Sequence, residues 1–159
     1  RRAYPVLFPF DERCMESALK EAEKSLEEGE VPVGAVVVHE GAIVARAHNQ
    51  MERLMDPTAH AEMVAITQAA SYLENWRLEG TTLYTTLEPC LMCASALSLA
   101  RVDRIVYGAK DPRGGGCGSV IDVPKIVWTG HCPEVTGGIL DERCAELIRR
   151  FFAKRRKPG

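Results

Sequence analysis

The chain has 159 residues, 46 % of them hydrophobic and 26 % charged, and a formal net charge of −2. That length suits a single domain over 1–159 with a substantial core, and the composition is that of an ordinary globular protein with no stretch long enough to span a bilayer. Six cysteines point to metal binding in a reducing, cytoplasmic setting rather than to disulfides, because no secretory segment is recognisable: Pro5, Pro9 and the charged Asp11-Glu12-Arg13 interrupt the apolar start. The charge is unevenly spread, acidic early and basic from Arg149 to Lys157.

In chain order, Asp11 is placed to cap a helix running to about Glu28. Met15, Ala18, Leu19, Ala22 and Leu26 share its apolar face, its charges form a solvated face, and Gly29 stops it. Val33 to His39 reads as a buried strand, Glu40-Gly41 as a turn, and Ala42 to Ala47 as the returning hairpin strand. Residue type alone makes Asn49 a turn residue and His48 a packed or surface histidine. Asp56-Pro57-Thr58 reads as a turn and cap for a helix that carries His60 and Glu62 to near Tyr72. Gly80 precedes a strand from Thr81 to Leu87, and Pro89 suits the first turn of the helix bearing Cys90 and Cys93 on one face.

Arg104 to Tyr107 is a further strand reached through a helix, which predicts parallel pairing. Lys110 to Ser119 reads as a flexible, glycine-rich loop without a phosphate-binding pattern. Either Ile126-Val127-Trp128 or Glu134-Val135-Thr136 can supply a last strand, and Gly137-Gly138 favours the second. Asp141 is placed to cap a final helix through Cys144, Leu147, Ile148, Phe151 and Phe152 that ends in Lys154-Arg155-Arg156-Lys157. An opening hairpin followed by alternating strands and helices predicts an α/β chain folded as a three-layer α/β/α sandwich.

The chemistry concentrates in Glu88-Pro89-Cys90-Leu91-Met92-Cys93, read with His60-Ala61-Glu62. Two thiols one turn apart and an imidazole from another segment make an open site for tetrahedral zinc whose fourth position is left to water. Glu62 lies near enough to that water to exchange protons with it. A redox pair would leave His60 and Glu62 without a role. A structural zinc site would need a second C-x-x-C, and Cys14, Cys117, Cys132 and Cys144 are scattered singly. The pattern H-x-E…P-C-x-x-C is the established signature of zinc-dependent nucleobase deaminases.

Beyond that signature, the chain resembles the bacterial tRNA-specific adenosine deaminases of the cytidine-deaminase-like superfamily. The resemblance is carried by Gly29-Glu30-Val31-Pro32-Val33-Gly34-Ala35-Val36, His48-Asn49, Asp56-Pro57-Thr58-Ala59-His60-Ala61-Glu62, Thr82-Leu83-Tyr84, Thr86-Leu87-Glu88-Pro89-Cys90, Val106-Tyr107-Gly108-Ala109 with Asp111, Gly118-Ser119, and Phe151-Phe152 with Arg155-Arg156. It implies a five-stranded mixed sheet between helices, a homodimer, and conversion of the wobble adenosine of a tRNA anticodon stem-loop to inosine. It also implies one zinc ion per subunit on His60, Cys90 and Cys93, with Glu62 as the proton shuttle. By the same match Asn49 bonds the flipped base, replacing the turn reading; Val33 and Ala61 line the base pocket; and Asp111 lies near the RNA backbone and ribose. Lys154, Arg155 and Arg156 then form an RNA-facing tail, whereas helical spacing alone makes Phe151 and Phe152 core residues. The chain departs from the family pattern at Ser95, at Leu99 and at Gly130-His131.

The expected reaction is hydrolytic: the zinc lowers the pKa of its water towards ~7, and Glu62 carries the proton to the ring and then to the departing amine. Two other readings stand beside it. One is a deaminase of a free base or nucleoside, with which Thr85-Thr86 is compatible. The other is a silent zinc-stabilised RNA-binding subunit, which the presence of Glu62 disfavours. Cys14 and Cys144 are expected in the core, and Cys117 and Cys132 in exposed loops.

Overall fold

A computed structural model describes residues 8–126 and 128–156, so the apolar start, Val127 and Lys157 lie outside the described residues. The elements are α1 (Phe8–Glu27), β1 (Gly34–His39), β2 (Ala42–His48), α2 (Met51–Leu54), α3 (Ala61–Leu73), β3 (Thr81–Leu87), α4 (Leu91–Leu99), β4 (Arg104–Ala109), β5 (Glu134–Thr136) and α5 (Asp141–Arg156). Glu40 and Gly41 both take positive φ (52° and 79°), the two-residue turn whose twist matches a hairpin. The sheet order is β2-β1-β3-β4-β5, with β1 antiparallel to both neighbours and β3, β4 and β5 parallel. The strand from Glu134 to Thr136 is therefore the fifth; the crossover through α4 makes β3 and β4 parallel as expected, and β5 joins β4 in parallel through a connection whose described residues hold no α-helix.

Side-chain alternation along the strands sorts the core onto two faces. Val36, Val38, Tyr84 and Val106 pack with Met15, Ala18 and Ala22 of α1 and with Cys144 and Leu147 of α5. Ala35, Val37, Leu83 and Ile105 pack with Ala61, Ala65 and Ala69 of α3 and with Ala94 and Leu97 of α4. The result is the three-layer α/β/α sandwich. Cys14 and Cys144 are core residues, as expected.

Asp11 does not cap α1, which begins at Phe8, and it is not on a solvated face. Its buried carboxylate accepts the Tyr84 hydroxyl at 2.7 Å and a two-pronged Arg104 guanidinium at 3.0 and 2.8 Å. One acid thereby ties α1 to β3 and β4. Glu21 is buried as well, facing His48 Nδ1 at 3.4 Å while Glu28 faces Nε2 at 3.2 Å. Charges that look solvated along a helix wheel are here consumed by remote partners, because an unpaired buried carboxylate would be costly.

The strand directions decide where a ligand can sit. Because β1 runs antiparallel to β3, its N-terminal end at Gly34 lies beside the C-terminal end of β3, and the Gly34 N–H donates to Thr86 Oγ1 at 3.2 Å. Ligands of open α/β sheets bind outside the carboxyl ends of the parallel strands, and β3 hands the chain to α4 at that edge.

Candidate active site

Two helix starts meet at this edge. His60 is the N-cap residue of α3 and Cys90 that of α4, both in extended conformation (ψ 152° and 178°), and neither side chain makes a capping hydrogen bond. Their side chains are thus free to act as ligands while the backbone begins each helix. Cys93 follows one turn into α4 and is fully buried. Pro89 sits one residue before the N-cap rather than inside the first turn, and its carbonyl accepts the Gly116 N–H at 2.7 Å. Asp56 likewise stops short of capping α3; its Oδ1 accepts the Thr58 N–H and hydroxyl at 2.8 and 2.7 Å and tightens the turn ahead of His60.

His60 Nδ1 lies 3.6 Å from Cys90 Sγ and 3.4 Å from Cys93 Sγ, and the three donor atoms lie within 4.8 Å of one another. Zinc at the centre of a tetrahedron, with its usual bond lengths to nitrogen and sulfur, needs N···S edges of about 3.5 Å. The donor set fits zinc. Glu62 is outside this mutually close set.

Electrostatics separate the roles. Burial pushes the Glu62 carboxyl up to about 7, next to the operating range of an acid–base catalyst. The Cys90 thiol is held down at about 3 chiefly by its hydrogen bond with Cys93 and by the His60 ring, while the bond to Cys90 and burial push Cys93 far up. Both helix N-termini favour negative charge at this point, which suits thiolate donors.

A cavity of about 230 Å³ opens over these groups and is lined by Val31, Val33, Asn49, Met51, His60, Ala61, Glu62, Leu87, Glu88, Cys90 and Asp111. That is below the ~300–1,000 Å³ of pockets that enclose drug-sized molecules, a size for a base rather than a whole nucleotide. Val33, Ala61, Asn49 and Asp111, picked from separate parts of the sequence, share this one cavity. Asn49 is buried, with Nδ2 donating to the Val31 carbonyl at 3.1 Å and Oδ1 accepting the Met51 N–H at 3.3 Å. Its second amide hydrogen remains for a ligand. Lys154, Arg155 and Arg156 are exposed on the last turn of α5, away from the cavity lining, and Arg155 stacks over the Phe151 ring at 5.2 Å. Phe151 is a core residue, but Phe152 is 39 % exposed, so the pair divides between core and surface.

The family model for the cytidine and deoxycytidylate deaminase zinc-binding region matches residues 9–109. The tRNA-specific adenosine deaminase of Bacillus subtilis is 49 % identical over 92 % of this chain and 91 % of its own length, and that of Agrobacterium fabrum 45 % identical over 89 % and 93 %. The chain belongs to the tRNA-specific adenosine deaminases, a branch of the cytidine-deaminase-like superfamily. A solved tRNA:A34 deaminase superposes with TM-score 0.83 at 44 % identity, covering 85 % of this chain and 98 % of that one. The guanine deaminase of Bacillus subtilis is also similar, at TM-score 0.60 and 39 % identity, but over 62 % of this chain and 64 % of that one.

Two features of this deaminase site were not legible in the sequence. The loop after β4 is not loose: Glu88, itself buried, accepts the N–H groups of Asp111, Cys117 and Ser119 at 3.0 Å each, and the Ser119 hydroxyl as well. Burial works against ionisation of Glu88, yet these donors hold its carboxyl below the usual range. Cys117 is consequently buried rather than exposed, whereas Cys132 is exposed. Glu30 is the second feature. Itself buried, it accepts the Glu52 and Arg53 N–H groups at 3.0 and 2.9 Å and so fixes α2, a helix that the sequence pattern did not announce. An acid directly preceding the Pro-Cys of the metal motif, with a glycine-rich loop to follow, is the only local hint of the first.

Proposed function

We propose that this deaminase converts the wobble adenosine of a tRNA anticodon stem-loop to inosine by zinc-dependent hydrolysis. The observation that carries the reading is one base-sized cavity lined by two of three clustered metal donors, His60 and Cys90, by the buried acid Glu62 and by Asn49, with the third donor, Cys93, packed behind them. The relatives named above support the RNA and the base. His60, Cys90 and Cys93 hold the zinc, which when bound lowers the pKa of water to near ~7. Glu62 receives one proton of the attacking water and delivers it to the ring nitrogen beside C6; it then takes the remaining hydroxyl proton from C6 and passes it to the amine, which departs as ammonia as the carbonyl forms. The amide of Asn49 orients the base, with Val33 and Ala61 as its apolar walls. Incubation with an anticodon stem-loop bearing a wobble adenosine is expected to yield inosine; turnover of free guanine, cytosine or a nucleoside, but not of the stem-loop, would establish the small-molecule alternative instead.

A base stacked in RNA cannot enter such a cavity, so the target nucleotide is flipped out and its neighbours need a path. A groove of about 590 Å³ shares Val31, Leu87 and Asp111 with the pocket and is bordered by Lys110, Arg113, Ile148 and Phe152. Its basic and aromatic rim suits a polynucleotide. Phe152 also joins this groove to the α5 end that carries Lys154, Arg155 and Arg156. Truncation after Phe152 is expected to weaken stem-loop binding and flatten its dependence on salt, by about one unit of log–log slope for each phosphate no longer neutralised. Unchanged affinity would remove the basic end of α5 from RNA recognition.

The protein works as a homodimer in this reading. Leu91 and Leu99 of α4, and Val120, Ile121 and Ile126 from the segment that packs on it, are exposed apolar side chains in search of cover. Sedimentation at micromolar concentration is expected to give twice the 17.5 kDa chain mass; a monomer that still deaminates RNA would refute the dimer. Among the described residues no helix is long and apolar enough to cross a membrane.

A further inference from the structure

Glu88 lies two residues before a zinc donor, yet none of the proton transfers above uses it. It is 1 % exposed, and among the described residues no cation pairs with it. Its charge is met instead by the three N–H groups of the 110–119 loop and by the Ser119 hydroxyl. The loop in turn is moulded onto it. A Cβ on Gly115 would overlap the Glu88 carboxylate, and one on Gly116 would come within 2.9 Å of the Cys90 backbone. Glycine at both positions permits this close approach.

The dependence is mutual. A buried carboxylate without donors would be costly, and a glycine-rich loop without an anchor would lose its single conformation to chain entropy. What the anchor places is Asp111. The Asp111 N–H is bound to Glu88, its carbonyl accepts the Gly115 N–H at 2.8 Å, and its Oδ1 accepts the Arg113 and Gly114 N–H groups at 3.1 and 3.3 Å. The segment so held forms a wall of the base pocket through Asp111 and of the adjoining groove through Lys110 and Arg113.

We propose that Glu88 is a positioning residue for RNA: it sets the 110–119 loop, and with it Asp111, against the strand around the target base. It acts on engagement of the polynucleotide and not on the chemistry at the ring. This inference rests on the RNA reading above and goes beyond it by assigning the residue through which the loop is held.

The test is a double-mutant cycle on the zinc-loaded full chain, with Glu88→Gln, Asp111→Ala and the pair compared in steady-state turnover of the wobble-adenosine stem-loop. Glutamine keeps the size of the side chain but must turn a donor towards one loop N–H. Glu88→Gln is expected to raise KM about tenfold with kcat within about twofold and zinc stoichiometry unchanged. In the Asp111→Ala background the further rise is expected to shrink below about twofold, since both changes remove one effect. A loss confined to kcat, a loss of zinc, or additive effects in the double variant would overturn the assignment. Ser119→Ala, which deletes one donor and leaves Glu88 in place, gives the same answer if Glu88→Gln fails to fold: a KM rise of about threefold supports the role, and an unchanged KM defeats it. If the unaltered chain makes no inosine from the stem-loop, the RNA reading fails and takes this inference with it. If it does make inosine and KM ignores these substitutions, this inference alone fails.

Discussion

Replacing Glu62 with alanine is expected to lower kcat by about 10²- to 10⁴-fold while leaving one zinc ion per chain. The two readouts separate because Glu62 stands outside the set of mutually close donors formed by His60, Cys90 and Cys93. In the metal-free chain the same substitution should not lower thermal stability. A carboxyl whose folded pKa is raised to about 7 binds more protons in the folded than in the unfolded chain, so its ionisation opposes folding once the pH exceeds the unfolded value near 4.5. That penalty grows as pH rises towards 7, and it disappears with the carboxyl, as at other sites where function costs stability. Turnover surviving within about tenfold would refute the acid–base assignment; a melting temperature that falls sharply at neutral pH would show that Glu62 is chiefly structural.

Cys93→Ala is expected to act in the opposite pattern, removing the metal and the activity together. Cys93 is fully buried one turn behind Cys90 and only 3.4 Å from His60 Nδ1, so its loss leaves two donors where an open zinc site needs three. The fall in zinc affinity should exceed the ~100-fold cost of losing an outer-shell partner of a ligand. Because metal binding to the folded chain contributes to its stability, the variant should also melt at a temperature close to that of the chelator-treated parent. Stoichiometric zinc in purified Cys93→Ala, by elemental analysis, would mean that the donor set is wrong.

How much of this was legible in the chain depends on the range of the forces involved. The β1–β2 hairpin followed from Glu40-Gly41 between apolar runs, and β3 was legible to the residue, because turn chemistry and strand alternation act over a few positions. The metal donors were legible for the same reason: a thiol pair at helical spacing announces a shared face. Among the expectations that the structure corrects, two concern acids of α1. Asp11 has the sequence position of a helix cap and Glu21 that of a solvated charge, and both are buried. Asp11 finds Tyr84 and Arg104 at 73 and 93 residues' separation, which no local pattern encodes.

The loop after β4 teaches the same lesson from the other side. Its glycines, read by themselves, signal freedom; set against Glu88 they are what lets the backbone come close enough to be held. From sequence alone came the thiol pair, the His60-Ala61-Glu62 motif and the order of layers, because each rests on short-range spacing and on the chemistry of single side chains; that the two motifs meet is what the structure shows. Only the tertiary structure decided which carboxylates are solvated and which are buried, and which loop is pinned at the pocket mouth. The free energy of a charge depends on donors delivered by remote segments, and these meet only when the sheet is assembled.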